Sequence, residues 1–288
     1  MTWPTLTVTG HMAAEDRTAN SAPRRPAPAA PAPANRFLPG VPGADIKRII
    51  HAAPGNEIAS GKFDSPESSA ALAANAFGFF LHQPQVLPPL PGCSGLSWPA
   101  CSLSLEEAVR FPWRGGRHPV LDCLVVTPSA LIGIESKRFE PFRGGKAAIL
   151  SGAYWRPVFG DRMARFERVR DRLRENPRLF EFLDAAQLVK HAFGLRSAIH
   201  RPGRHHGLRP VLFYVYAEPA CWPTTGRRVD TAAIAGHREE IARFADLVRG
   251  DEVAFVPCTW RRLLEAWKHD HGEEVAAHAE AVEARYSP

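Results

Sequence analysis

No apolar run in the 288 residues approaches the ~18 that cross a membrane, so no membrane partner is expected. The first residues lack a charged segment followed by an apolar one. Secretion is therefore not expected, and a cytoplasmic location is. Cysteine is sparse and odd in number: Cys93, Cys101, Cys123, Cys221 and Cys258 are scattered, with no CxxC pair. That spacing argues against a zinc knuckle or a disulfide framework and fits reduced thiols. GxSxG, a P-loop and a strand-borne GxGxxG are all missing, so three large enzyme classes have no motif to stand on. No internal repeat is present. One-sided charge is scarce too: 36 Lys+Arg against 30 Asp+Glu leave a formal +6. The excess is mostly Arg, and it suits a polyanion partner without requiring one.

The sequence opens with a Pro/Ala-rich tail, residues 1–40, whose stretch from Ala22 to Asn35 has too little apolar area to offset its ordering entropy. Either Met1 or Met12 can serve as its start. Residues 41–288 read as one domain. A short helix is expected over Asp45 to His51. Ser65-Pro66 is a cap followed by a first-turn proline, which predicts a helix to Leu81. Ala100 to Val109 reads as a strand. Asp161 can cap a helix from Arg162 to Glu175, with Met163, Phe166, Val169 and Leu173 as its apolar stripe. A further helix is predicted from Pro177 to Phe193, stopped by Gly194. Pro210 to Tyr216 is a buried-type strand. A helix (His237 to Val248), a strand (Glu252 to Pro257) and two helices (Thr259 to His269, Glu273 to Arg285) close the order. The alternation argues for an α/β domain with a central mixed sheet flanked by helices.

The segment from Arg117 to Phe139 organises the rest. It reads as two apolar strands around a Thr-Pro-Ser turn, yet Asp122 interrupts the first strand and Glu135 and Lys137 the second. Charge among Leu, Val and Ile is costly unless paired. Period-two alternation puts Glu135 and Lys137 on one face. A two-residue turn at Pro128-Ser129 pairs Thr127 with Ala130 and so sets Asp122 opposite Glu135, with Cβ atoms ~5 Å apart. Two carboxylates that close call for a cation between them. A hard divalent ion would take Asp122, Glu135 and the Ser136 carbonyl as oxygen ligands. Lys137 would then lie beside the attacking water. The bland alternative is a buried salt bridge or an edge-strand charge set.

Pro119-Val-Leu-Asp122 and Glu135-Ser-Lys137 resemble the two strand elements of the PD-(D/E)XK nuclease superfamily, the restriction-endonuclease-like fold. The proline stands three residues before the aspartate rather than next to it. The resemblance spans about Asn56 to Pro257, in motif and element order rather than residue by residue. It implies a Mg²⁺-dependent nuclease, with Mn²⁺ able to substitute, acting on DNA in preference to RNA. Asp122, Glu135 and Lys137 would be catalytic. Glu57 or Glu67 would complete the metal site from upstream, Glu57 being preferred because Glu67 can simply favour a helix N-terminus. Gln187, an i, i+4 neighbour of His191, and Lys190 lie on the helix after the hairpin, where several branches place functional residues.

Arg114, Arg117 and His118 precede the site and can contact phosphates. The alternative function is a catalytically inactive nucleic-acid-binding or assembly protein that keeps the fold. Elsewhere the Arg-rich helix is balanced by Glu167, Asp171 and Glu175 and reads as a solvated face. The basic stretch from Arg201 to Arg209 reads as a surface loop, since His205-His206 have no third metal ligand in view.

Overall fold

Five strands lie side by side in chain order: β1 (Ser102–Ala108), β2 (Val120–Val126), β3 (Ala130–Lys137), β4 (Arg209–Tyr216) and β5 (Ala254–Thr259). β1, β2 and β3 pair antiparallel; β3, β4 and β5 pair parallel. This computed structural model describes residues 36–54, 57–113, 115, 118–145, 147–269 and 272–288, all within one unit, Pro33–Pro288. A tight turn suffices between β2 and β3, whereas each parallel pairing needs a long crossover. Helices α1 (Gly43–Ala52) and α2 (Ser69–Gly78) precede the sheet. Helices α3 (Ala164–Glu175) and α4 (Ala185–His200) lie in the first crossover and α5 (Thr231–Val248) in the second, while α6 (Trp260–Lys268) and α7 (Glu273–Tyr286) follow β5. The expectation of an α/β architecture with a mixed sheet flanked by helices holds. Among the described residues no helix is long and apolar enough to cross a membrane.

Each face of the sheet carries its own core. Ile132, Ile134, Phe213 and Val215 pack with residues of α1, α2, α6 and α7. Leu131, Leu212 and Tyr214 pack with residues of α3, α4 and α5. β3 is buried from Ala130 to Ser136, as a central strand covered on both faces must be.

Several element boundaries differ from the sequence reading, each for a local reason. Packing begins before residue 41: Phe37 is buried, and Arg36 Nε stands 2.6 Å from Asp64. Residues 1–35, most of the expected tail, lie outside the described set. Ser65 Oγ accepts only the Glu67 N–H in a turn, while Ser68 Oγ accepts from Ala71 at 3.0 Å and starts α2 three residues late. Asp161 sits in a 3₁₀ turn. The first N–H groups of α3 donate instead to Asp251, from Arg165 at 2.9 Å and Phe166 at 2.8 Å.

The helix expected from Pro177 begins only at Ala185, because Glu240 of α5 accepts the N–H groups of Glu181, Phe182 and Leu183 at 2.7–2.9 Å. Gly194 does not stop it. The helix runs on to His200, and Gly194 lets it press against β1's end, where an added Cβ would meet Val109 Cγ2 at 2.5 Å. Asp230 accepts from Ala232 at 2.9 Å and starts α5 at Thr231, ahead of His237.

Candidate functional site

The hairpin register is the expected one. Thr127 N–H donates to Ala130 O at 2.9 Å, and the ladder runs from Val126↔Leu131 to Cys123↔Ile134. It stops one pair short of Asp122 and Glu135. There the strands part, and the Asp122 carboxylate enters the seam to accept the Ser136 N–H at 2.6 Å. This corrects the expectation that Asp122 and Glu135 stand as a directly opposed pair. The N–H and C=O of a strand residue point to the same edge, so the Ser136 carbonyl also turns toward Asp122. The Lys137 carbonyl turns the other way and accepts from Ala217 at 2.9 Å.

On its other side Asp122 meets a break in β1. The pairing Leu105↔Cys123 resumes at Glu107↔Leu121, and the pair between them, Glu106 and Asp122, is missing. Glu106 has φ +50°, the left-handed region that a side chain longer than Asn or Asp rarely adopts. Both strands change faces at this step. Leu103, Leu105, Cys123 and Val125 belong to one core, yet Val109 and Leu121, of the same parity, belong to the other. The step holds two carboxylates in the place of one ladder pair. Charge type and spacing gave no sign of Glu106, because Glu106-Glu107 reads as an ordinary polar end to a strand. The signal is the backbone turn, which only the structure carries.

Electrostatics bind these groups into one cluster. Burial, then the charges of Glu135 and Glu106, push the Asp122 carboxyl well above the usual carboxylate range. Burial, then Glu57 and Glu135, raise Glu106 to about 7. Burial also works against the Glu135 charge, but Lys137 and His191 outweigh it and hold Glu135 at about 2. Glu135 Oε1 accepts from Lys137 Nζ at 2.5 Å, and its Oε2 lies 2.9 Å from His191 Nε2. The His191 contact is close but lacks hydrogen-bond alignment, so both ring nitrogens remain unpartnered at 1% exposure. Burial opposes the Lys137 charge, and Glu135, Glu140 and Asp122 overcome it and raise the amine. Lys137 is therefore an ammonium here, able to donate hydrogen bonds but not to take a proton.

The structure thus gathers Asp122, Glu135, Ser136, Lys137 and His191, with Glu106 as an unforeseen member. Glu57 faces the cluster closely enough to raise Glu106. Glu67 is tied elsewhere, 2.5 Å from Arg143 and accepting from Thr224 at 2.6 Å. Gln187 lies with Lys137, Tyr214 and Arg143 along a cleft of about 250 Å³. Lys190 is half-buried on α4, where burial lowers its pKa against the pull of Asp184. His118 Nδ1 accepts from Phe111 N–H at 3.1 Å, while Arg114 and Arg117 lie outside the described residues.

The next residue after the motif is structural. Arg138 is 4% exposed and donates to the carbonyls of Pro66 and Tyr286, tying the end of β3 to α7. Among the described residues no three His, Cys, Asp or Glu side chains stand close enough together to hold a metal ion as placed. The donor chemistry is nonetheless that of a hard cation. Carboxylates crowd in a buried seam, the Glu135 charge raising both Asp122 and Glu106, beside a main-chain carbonyl. Comparison with protein-family models, with curated proteins and with solved structures returns no match.

Proposed function

We propose that this chain is a Mg²⁺-dependent phosphodiesterase of the PD-(D/E)XK kind, cleaving DNA. The observation that carries the reading is the parting of β2 and β3, which collects Asp122, Glu135 and Lys137 at one end of the sheet beside Glu106. Asp122, Glu135 and the Ser136 carbonyl would hold the ion, with Glu106 and Glu57 on its far side. Admitting it requires Glu135 to release Lys137, a rotation of one flexible side chain. A bound Mg²⁺, or Mn²⁺ in its place, would lower the pKa of water and neutralise charge on a phosphoryl oxygen. Lys137, freed from Glu135, would donate to that oxygen or orient the water. Gln187 would hydrogen-bond the substrate from the opposite wall of the cleft.

The test is cleavage of linear, circular and branched DNA, and of RNA, with Mg²⁺ or Mn²⁺. Asp122→Ala and Lys137→Ala are each expected to lose about 100-fold or more in rate, and Glu106→Gln to lose activity as well. Equal cleavage by wild type and both alanine variants would mark a contaminant and end the proposal.

A second reading has its own support: among the described residues no three ligating groups converge as placed, and Glu135 is already engaged by Lys137 and His191. A non-catalytic nucleic-acid-binding protein would look the same. It predicts no rise in melting temperature on Mg²⁺ or Mn²⁺ titration, whereas a chain that binds the ion only when folded must be stabilised by it.

A further inference from the structure

A second cleft, of about 290 Å³, opens on the same face of the sheet as the first, at the other end of α4. Gln187 in the first turn of α4 lines one cleft and Ala198 near its end lines the other, about 16 Å apart at the helical rise. Its strand wall, Glu107 to Arg110, begins one residue beyond Glu106. Its other wall is the loop after α4, with Arg201, Arg204 and His205. The loop is fixed rather than loose: Arg201 Nη2 donates to the carbonyls of Arg110 and Phe111 at 3.1 and 3.0 Å.

The basic groups here have little to neutralise them. Among the described residues that line it Glu107 is the single acid, and Arg204 approaches it only to 3.9 Å. The Nε2 atom of His205 is buried with no hydrogen-bond partner. His118, beside Arg110 and Arg201, accepts the Phe111 N–H at Nδ1, so its other ring nitrogen is left as a donor. Guanidinium forks lining a cleft, with imidazoles beside them, match the oxygens of a phosphate.

We infer that this cleft binds a phosphate of a nucleic-acid backbone, anchoring the strand whose cleavage is proposed above. The inference rests on that reading for its ligand. Arg110 follows Glu106 by four residues, two of them beyond the end of β1, so the bound phosphate is not the reacting one. Arg204 and Arg110 are exposed and can be replaced without disturbing the core.

The experiment is fluorescence anisotropy of a labelled DNA duplex in EDTA, where no cleavage occurs, across a salt series. Arg110→Glu with Arg204→Glu is expected to weaken binding about tenfold or more and to flatten the log K against log salt slope by about 1 per lost phosphate contact. The melting temperature should be unchanged. Equal affinity and equal slope in wild type and variant would overturn the inference, even if Mg²⁺-dependent cleavage persisted. Pocket-dependent binding without any cleavage would leave it standing and remove the catalytic reading instead. Inorganic phosphate and a nucleoside monophosphate form the third arm. If either binds through Arg110 and Arg204 while the duplex does not, the ligand is a small phosphate and the backbone assignment fails.

Discussion

Above pH ~7 the Glu106 carboxyl is mostly ionised in the fold, although burial and the charges of Glu57 and Glu135 resist this and hold it at about 7 against an ordinary 4.5. A folded-state pKa raised for an acid is a penalty that grows as pH rises. In EDTA, Glu106→Gln is therefore expected to increase the unfolding free energy by up to about 3 kcal/mol above pH ~7, and to change it little below pH ~4.5. Urea unfolding at the two pH values checks this; an equal effect at both would mean that the charge is not what strains the site. Stability gained by removing an acid, with activity lost, is the pattern of a site held under strain for use. At this scale much of the cluster was legible. Asp122, Glu135 and Lys137 stand out because charge does not belong in apolar strands. Glu106 was not legible, because its role depends on a φ of +50° that no residue type announces.

The helices show where local reading stops. Stripes such as Phe166, Val169 and Leu173 are visible in sequence and are buried in the structure. Starts are harder, since α3 is capped by Asp251 and the turn before α4 by Glu240, both distant in the chain. A nearby Asp161 or Asn176-Pro177 is a fair local signal that a distant carboxylate overrides. Gly194 misled for a different reason: a glycine can mark a helix end or a close approach, and the sequence does not say which. Gly194→Ala separates these roles. Helix propensity alone would reward the change by about 1 kcal/mol. The new methyl, however, would sit 2.5 Å from Val109 Cγ2 and 3.3 Å from Pro119, and overpacking of that kind costs about 1–3 kcal/mol. A net loss of stability is expected from the urea midpoint, and a gain would show that α4 can shift outward freely.

The whole sheet was legible as a class, because buried strands alternate with amphipathic helices. The strand order and the two-faced core follow from pairings that cross most of the chain. One pairing has a pH dependence. His237 of α5 meets the Tyr214 hydroxyl of β4 at 3.0 Å, and burial lowers the imidazole to about 4. The neutral ring thus stabilises the fold fully above pH ~6.5, and that contribution disappears as pH falls toward ~4. The stability gap between wild type and His237→Gln should shrink by about 3 kcal/mol across this window. A constant gap in thermal or urea unfolding would show that the imidazole titrates normally.

β1 is an outer strand of the sheet, and an unbroken outer strand offers its free N–H and C=O groups to any passing chain. The turn at Glu106 interrupts that row midway. The turn that brings Glu106 beside Asp122 on one side therefore also denies neighbouring molecules a template on the other, and straightening β1 would be expected to favour self-association as much as to disperse the carboxylates.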